Sequence, residues 1–305
     1  MQLIRFAQGK RQGLAVVVNG HAYDLAGMGD PWFSSLQAML TCQASVRELQ
    51  EAIAAWVDQA APSFDGRALI ERGRLEEQGE TIVLLPPLDQ QEVWASGVTY
   101  KRSEEARKAE SEGAALFYAK VYDAPRPELF FKATPHRTVG SHDAVGIRFD
   151  ARWNVPEPEL ALVLNTRLEI LGYTIGNDMS SRDIEGENPL YLPQAKVYER
   201  SLALGPGITL AGWAGDPQSF SIRMVIERGG QVAFEGETQV SEMKRSLDEL
   251  VGYLGRANSF PHGVVLLTGT GIVPDDSFTL APGDVIKISI SGLGTLVNPV
   301  VVVGA

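Results

Sequence analysis

The spacing of hydrophobic residues changes along the N-terminal part of the chain. Residues 2 to 26 form short apolar runs, and Asn19-Gly20 within LAVVVNGHAYDL is a typical two-residue hairpin turn. From Trp32 to Arg74, apolar residues recur three and four positions apart, which predicts two or three amphipathic helices. These positions are Leu36, Met39, Leu40, Val46, Leu49, Ile53, Trp56 and Val57.

The segment LLPPLD at residues 84–89 predicts a linker between two domains. Pro86 and Pro87 interrupt both helices and central strands, because proline lacks a backbone N–H and has a fixed φ. We therefore expect a small N-terminal α/β domain at residues 1–85 and a second domain at residues 86–305. A chain of 305 residues fits two unequal domains, given a prior of roughly 150 residues per domain.

The second domain is expected to be a mostly antiparallel β domain with a few helices, so the predicted fold class is α+β. Its apolar runs are short and are separated by clusters of Gly, Pro and Asn, with helical patterns only near 103–112, 180–186 and 243–255. The predicted strands are 93–99, 128–133, 159–164, 169–176, 221–227, 232–235, 264–268, 285–291 and 296–303.

Two glutamates begin one of these strands, in the segment NVPEPELALVLN at residues 154–165. In a strand, residues two positions apart share a face, so Glu157 and Glu159 are expected to point the same way. A solvated strand face would explain an ordinary pair of this kind. Here the following LALVL is apolar on both faces, which indicates a strand covered on both sides. Two buried carboxylates at such a site require a compensating cation.

A third carboxylate is expected beside this pair. The segment NTR at 165–167 is a plausible hairpin turn, and a turn centred near residue 167 places Glu157 opposite residues 176 to 178. Asp178 therefore lies next to Glu157 and Glu159. Three hard oxygen ligands favour Mg²⁺, with Mn²⁺ or Ca²⁺ as alternatives. Asp178 alone has a second interpretation as a turn or helix-cap residue, since Ser180 and Asp183 have the spacing of a capping box.

Composition narrows the class of protein. There are 38 Asp and Glu residues against 27 Lys and Arg, and the net charge of −11 argues against nucleic acid and anionic membranes as partners. The single cysteine, Cys42, excludes an internal disulfide, and we expect a cytoplasmic protein with no secretion signal or membrane span. The four histidines lack metal-ligand spacing and are expected to be structural or exposed: His21, His136, His142 and His262.

These motifs resemble the fumarylacetoacetate hydrolase superfamily, whose members share an E-x-E … NDxSxRD signature and a C-terminal TGT … PGD … GxGxLxNPV run. The resemblance covers the chain from about residue 90 to its end. It implies a β-roll catalytic domain, a divalent metal on the three carboxylates, and substrates with a 2-oxo acid head. The matching segments are EPE at 157–159, NDMSSRD at 177–183, TGT at 268–270, PGD at 282–284 and GLGTLVNPV at 292–300.

Departures from the hydrolase pattern indicate a branch of the superfamily. Hydrolases carry a G-x-N-Y-x-x-H motif whose histidine activates water, whereas this chain has GVTYKRS with Ser103 at the histidine position. The short turn before Asp178 and the segment at residues 187–206 also resemble the dehydratases of 2-keto-3-deoxy sugar acids such as 2-keto-3-deoxy-D-arabinonate. A C–C hydrolase or decarboxylase of acylpyruvate- or oxaloacetate-type acids is the alternative, and a non-catalytic binding protein is a third.

The resemblance and the local sequence suggest a role for each residue. The resemblance points to Lys196 as the base that removes a C3 proton, although most lysines are simply solvated. Glu128, ahead of an apolar strand, is our candidate for the acid that protonates the leaving C4 hydroxyl, with a surface carboxylate as the alternative. Thr270 matches a position that binds the substrate carboxylate in relatives, and Arg102 is a candidate for holding substrate hydroxyls.

The resemblance also implies a homodimer or homotetramer that binds a small 2-oxo acid. Arg182 and Asp183 are expected to orient the loop that carries Asp178. The product of β-elimination and tautomerisation of a 2-keto-3-deoxypentonate would be 2,5-dioxopentanoate, with the loss of one water.

Overall fold

The N-terminal residues form the predicted hairpin. The computed structural model describes residues 1–77, 79–101 and 121–304. Strand β1 (Gln2–Gln8) pairs antiparallel with β2 (Arg11–Val18), which in turn pairs with β3 (His21–Asp24). Asn19 and Gly20 both have positive φ between β2 and β3, as a type I′ turn requires, so the predicted turn is confirmed.

The predicted amphipathic helices follow this hairpin. They are α1 (Leu36–Thr41), α2 (Val46–Val57) and α3 (Gly66–Arg72). A capping box starts α2, because the Ser45 side chain accepts from the Glu48 amide while the Glu48 carboxylate accepts from the Ser45 amide. Three short strands complete the region: β4 (Phe64–Asp65), β5 (Arg74–Glu77) and β6 (Glu80–Leu85).

The second region is rich in strands, as expected. Its helices are α4 (Arg182–Glu187), α5 (Leu192–Lys196), α6 (Ala211–Ala214) and α7 (Leu247–Leu254), and the helix predicted near 103–112 lies outside the described residues. The strands are β7 (Glu92–Gly97), β8 (Glu128–Ala133), β9 (Thr138–Val139), β10 (Val145–Arg148), β11 (Asn154–Val155), β12 (Pro158–Leu164), β13 (Ile170–Asp178), β14 (Ser180–Ser181), β15 (Leu202–Leu210), β16 (Ser221–Arg228), β17 (Gln231–Gln239), β18 (Val264–Leu267), β19 (Val285–Ile290) and β20 (Gly294–Val303).

Two sheets pack on each other. The 13-stranded sheet has the main order β4-β3-β2-β1-β15-β13-β12-β18-β7-β8, and the 5-stranded sheet has the order β10-β20-β19-β16-β17. Most neighbours are antiparallel, whereas β18–β7, β15–β9 and β10–β20 are parallel. The predicted α+β class is confirmed.

Strand β12 is buried on both faces, as LALVL predicted. Leu160 and Leu162 belong to an apolar cluster shared with the 5-stranded sheet, whereas Ala161 and Val163 belong to a second cluster shared with the N-terminal helices. A central strand between two apolar layers cannot slip in register, because a shift of one residue would exchange the faces. The position of Glu157 and Glu159 is therefore tightly specified.

Strand β15 was not predicted. It contains Gly205, Pro206 and Gly207, which normally interrupt strands, yet every one of its residues is buried. A Cβ at Gly207 would lie 2.6 Å from the Leu3 carbonyl oxygen, so glycine allows β1 to approach closely. The Leu3–Ile208 pairing joins the N-terminal strands to the large sheet.

The predicted linker at 84–89 follows β6, which ends at Leu85, and precedes β7. The domain limits 1–85 and 86–305 stay a prediction. Among the residues that the structure describes, every helix is too short or too polar to cross a bilayer.

Candidate metal centre and active site

The hairpin of β12 and β13 brings three carboxylates together. Glu159 pairs with Gly176, and the Asp178 amide donates to the Glu157 carbonyl oxygen at 2.9 Å. Glu157 therefore lies opposite Asp178, as the turn near residue 167 predicted. Each of the three side chains offers an oxygen within 4.8 Å of the others, and all three side chains are buried.

This set of ligand atoms fits a hard divalent cation. Carboxylate oxygens are the preferred protein ligands of Mg²⁺, and three of them leave positions for water or substrate. Two of the carboxylates already form ion pairs with a lysine: Lys196 Nζ lies 2.7 Å from Glu157 Oε2 and 3.2 Å from Asp178 Oδ2. Asp178 does not cap a helix, because the N-cap residue of α4 is Ser181.

Both burial and neighbouring negative charge act on Glu159. Burial raises the pKa of Glu159 well above its usual range, and the neighbouring Asp178 and Glu157 carboxylates raise it further. The backbone amide of Gly269 donates to Glu159 Oε2 and opposes this effect. A divalent cation would relieve the repulsion.

Lys196 lies at the end of α5 and is 1% exposed, so it is not a solvated lysine. Its Nζ also donates to Ser180 Oγ at 2.5 Å, and it lies 5.7 Å from the centre of the Phe130 ring. We expected an apolar setting from the sequence PLYLPQAKVY. The structure corrects this expectation, because carboxylates that are distant along the chain surround the ammonium group.

A second buried lysine, Lys132 on β8, was not predicted as a site residue. Its Nζ lies 2.6 Å from Asp178 Oδ1 and donates to the Met179 carbonyl at 2.9 Å and to the Lys196 carbonyl at 2.5 Å. Burial lowers the pKa of Lys132, and the Asp178 carboxylate opposes that shift. The only sequence signal was a lysine within the apolar strand ELFFKA.

Arg182 and Asp183 lie directly after the Asp178 loop, and their expected role in orienting it stays a prediction. Arg182 Nη2 donates to Glu157 Oε1 at 2.7 Å, so it orients Glu157. Asp183 Oδ2 accepts from the Arg152 amide at 2.7 Å. Glu185 on α4, which was not predicted, is buried and faces the cavity.

A small cavity opens onto the carboxylates. Glu128 lines it and is half-buried at the start of β8. Thr270 lines it too, although its Oγ1 donates to the Ile272 carbonyl at 3.1 Å within its own turn. Arg102 and Ser103 lie outside the described residues. The lining residues are Ser96, Gly97, Val98, Glu128, Phe130, Glu157, Glu159, Asp178, Arg182, Glu185, Lys196 and Thr270.

The histidines lie away from this centre, as expected. His21, His136 and His262 are exposed, and His142 hydrogen-bonds through Nε2 with the Ile70 carbonyl at 3.0 Å.

The chain belongs to the fumarylacetoacetate hydrolase family. The family described as "Fumarylacetoacetate (FAA) hydrolase C-terminal" matches residues 92–301, which include all three carboxylates. The resemblance predicted from the EPE and NDMSSRD motifs is thus confirmed.

Within this family, the chain is similar to sugar acid dehydratases. It is 54% identical to a probable 2-keto-3-deoxyxylonate dehydratase of Haloferax volcanii over 71% of this chain and 74% of that protein. It is 46% identical to the 2-dehydro-3-deoxy-D-arabinonate dehydratase of Saccharolobus solfataricus over 72% of this chain and 74% of that protein. A solved structure of 2-keto-3-deoxy-D-arabinonate dehydratase complexed with magnesium and 2,5-dioxopentanoate has a TM-score of 0.80 and 36% identity, covering 99% of both chains.

Proposed function

We propose that the protein is a Mg²⁺-dependent dehydratase that converts a 2-keto-3-deoxypentonate, such as 2-keto-3-deoxy-D-arabinonate, to 2,5-dioxopentanoate and water. The buried triad of Glu157, Glu159 and Asp178, with Lys196 beside it in one cavity, is the observation that carries this proposal. The similarity to dehydratases, and to a structure that contains magnesium and 2,5-dioxopentanoate, supports it.

Glu157, Glu159 and Asp178 would hold the metal. Bound there, Mg²⁺ supplies Lewis-acid chemistry, which polarises the 2-oxo group of the substrate and makes its C3 protons more acidic. Mn²⁺ accepts the same oxygen ligands and is suitable as a probe.

Lys196 is the proposed base. Its Nζ contacts Glu157 Oε2 and Asp178 Oδ2, the oxygens that a cation would also use. The ammonium form therefore competes with a bound cation for both carboxylates, and loss of its proton removes this competition. In the amine form, Lys196 accepts a proton from C3.

Glu128 is the proposed acid for the second half of the reaction. It lines the cavity from β8, together with Phe130 of the same strand and Lys196. A half-buried carboxyl group that lines the cavity is placed to donate a proton to the C4 hydroxyl as it leaves. Thr270 lines the cavity as well and is the proposed contact of the substrate carboxylate. The role of Arg102 stays a prediction from the sequence.

A panel of 2-keto-3-deoxy acid stereoisomers tests the function. We expect the purified protein with Mg²⁺ to form 2,5-dioxopentanoate from at least one pentonate, and EDTA to stop the reaction. Lys196→Met is expected to lose about 10²–10⁴-fold in kcat, since general base catalysis contributes that much. Lys287→Met is the matched control, because Lys287 pairs with Glu227 at 2.6 Å on the surface.

The alternative activities make different predictions. Conversion of acetylpyruvate to acetate and pyruvate, without dehydration of any pentonate, would favour a C–C hydrolase. Decarboxylation of oxaloacetate alone would favour a decarboxylase. If Lys196→Met leaves every measured property unchanged, a non-catalytic binding protein is the better interpretation. A homodimer or homotetramer and a cytoplasmic location stay predictions from the sequence.

A further inference from the structure

Lys132 lies beneath the cavity and contacts both parts of the proposed site. Glu128 and Phe130 lie two positions apart on β8 and share one face of the strand, and Lys132 follows at a β-bulge, where the register against β7 shifts. Glu128 and Phe130 line the cavity. The Lys132 side chain is inaccessible to solvent, and it is not among the described residues that form the cavity wall. It therefore acts on any substrate only through other residues.

Three acceptors surround Lys132 Nζ. Asp178 Oδ1 is at 2.6 Å, the Met179 carbonyl oxygen at 2.9 Å and the Lys196 carbonyl oxygen at 2.5 Å. An ammonium group has three N–H donors and no acceptor, whereas an amine has only two donors. Two of these contacts are hydrogen bonds to carbonyl oxygens, and the contact with Asp178 is an ion pair, so the surroundings of Lys132 match the ammonium form.

One of these contacts orients a proposed metal ligand. Lys132 occupies Oδ1 of Asp178, so the other oxygen, Oδ2, is the one that faces Lys196 Nζ at 3.2 Å. A carboxylate held in this way presents a single oxygen to the centre of the triad. Charge-assisted contacts of this kind are shorter and stronger than neutral hydrogen bonds.

Another contact holds the backbone of the proposed base. Lys196 is the last residue of α5, a helix of 5 residues. The last carbonyls of a helix have no partner within the helix, and Lys132 supplies one for the Lys196 carbonyl. A single buried ammonium group outside the cavity lining therefore links Asp178 to the Lys196 backbone.

We propose that Lys132 is a positioning residue: it leaves Asp178 Oδ2 available to the metal and sets the backbone from which Lys196 reaches the cavity. The part that concerns catalysis rests on the proposed function, whereas the part that concerns metal binding rests only on the triad. Hydrogen-bond partners of metal ligands typically contribute about 10–100-fold to metal affinity or activity.

Lys132→Met tests this proposal, because methionine has a similar length but neither the charge nor the N–H donors. We expect the Kd for Mn²⁺, measured by electron paramagnetic resonance, to rise by about 10–100-fold. At saturating metal, kcat for 2-keto-3-deoxy-D-arabinonate should fall by about 10–100-fold, with KM near the wild-type value. Lys287→Met removes an exposed ammonium and should change neither quantity.

Other outcomes would overturn the proposal. Suppose that circular dichroism shows a folded Lys132→Met variant, which binds Mn²⁺ with the wild-type Kd and loses only thermal stability. Lys132 then has only a structural role. If this variant does not fold, Lys132→Arg decides the question, since it keeps the charge but changes the geometry. A raised Kd for Mn²⁺ in Lys132→Arg supports the proposal, and wild-type affinity and kcat overturn it. A wild-type protein that turns over no pentonate contradicts the proposed function, but the Mn²⁺ titration still tests Lys132.

Discussion

In the metal-free protein, the environment of Glu159 disfavours its ionised form. Its side chain is 1% exposed and lies beside two other carboxylates. Burial is the main cause of the raised pKa of Glu159, and the charges of Asp178 and Glu157 add to it. The ionised form that a metal requires is therefore the form that the metal-free protein disfavours.

The stability of the metal-free protein should consequently depend on pH. A raised pKa in the folded state means that the folded protein holds this proton more tightly than the unfolded chain does. Stability is then highest below the unfolded carboxyl pKa of roughly 4.3, and it falls as pH rises toward the folded-state pKa. Glu159→Gln should remove this fall, so that the metal-free variant melts at a higher temperature than the wild type at about pH 8.

Calorimetry in EDTA and in Mg²⁺ checks this prediction at a mildly acidic and a mildly alkaline pH. Mg²⁺ should raise the Tm of the wild type, more so at alkaline pH, because binding stabilises only the folded state. It should not raise the Tm of Glu159→Gln. An equal Mg²⁺-dependent rise in both proteins would show that Glu159 is not a metal ligand.

The sequence predicted those site residues whose neighbours follow from strand alternation or from a short turn. Glu157 and Glu159 share a face because strands alternate, and Asp178 follows from one short turn. Lys132 and the true partner of Arg182 escaped prediction for a different reason. Their contacts join residues that are distant along the chain, and no spacing within ELFFKA indicates that its lysine points at Asp178.

Among the elements, the ladder of β7 and β8 determines where Glu128 lies. Gly97 pairs with Glu128 across this ladder. A Cβ at residue 97 would lie 2.0 Å from Glu128 Oε2, far inside van der Waals contact. The missing side chain of Gly97 thus provides the space that the Glu128 carboxyl occupies.

Gly97→Ala is therefore expected to displace Glu128 and to lower kcat by up to about 10²–10⁴-fold, as for loss of a general acid. The Kd for Mn²⁺ should stay at the wild-type value, because the β12–β13 hairpin positions the triad and residue 97 lies on β7. Steady-state kinetics and a metal titration measure the two quantities.

A matched glycine controls for the added methyl group. Gly252 lies in α7 with open space around its Cβ position. Gly252→Ala should leave kcat unchanged and stabilise the protein by up to about 1 kcal/mol, since alanine favours helix. Wild-type kcat in Gly97→Ala would argue against Glu128 as the acid.

Elements with a clear period were predictable, and elements interrupted by Gly and Pro were not. The run at 128–133 was predicted with the bounds of β8 itself, Glu128–Ala133. Strand β15 was missed because Gly205, Pro206 and Gly207 favour a loop when only local sequence is considered. Its identity as a strand comes from pairing with β1 and β13, which only the folded chain provides.

For the molecule as a whole, Arg5 connects the N-terminal strands to the segment between β6 and β7. This arginine is 9% exposed on β1 and donates to the Pro86 carbonyl at 2.8 Å and to the Leu88 carbonyl. It also forms an ion pair with Asp89. The predicted linker is thus held against the N-terminal sheet by one buried cation.

Arg5→Met should destabilise the protein by up to about 3–5 kcal/mol, because it removes one partner of a largely buried ion pair and the donor to the Leu88 carbonyl. Urea unfolding followed by tryptophan fluorescence measures the change. Arg47→Met is the control, since Arg47 pairs with Glu51 on the surface and such pairs contribute at most about 1 kcal/mol. Equal effects of the two substitutions would show that burial of Arg5 adds nothing to stability.

Main-chain atoms form much of the frame around the proposed centre. The amide of Gly269 holds Glu159, the Asp178 amide holds the backbone of its strand neighbour, and the Met179 carbonyl holds the buried lysine of β8. A point mutation exchanges a side chain and leaves such atoms in place. Substitutions of wall residues such as Val98 and Phe130 can therefore change the shape of the cavity and admit a different sugar acid. The main-chain contacts that position the proposed metal ligands would stay in place.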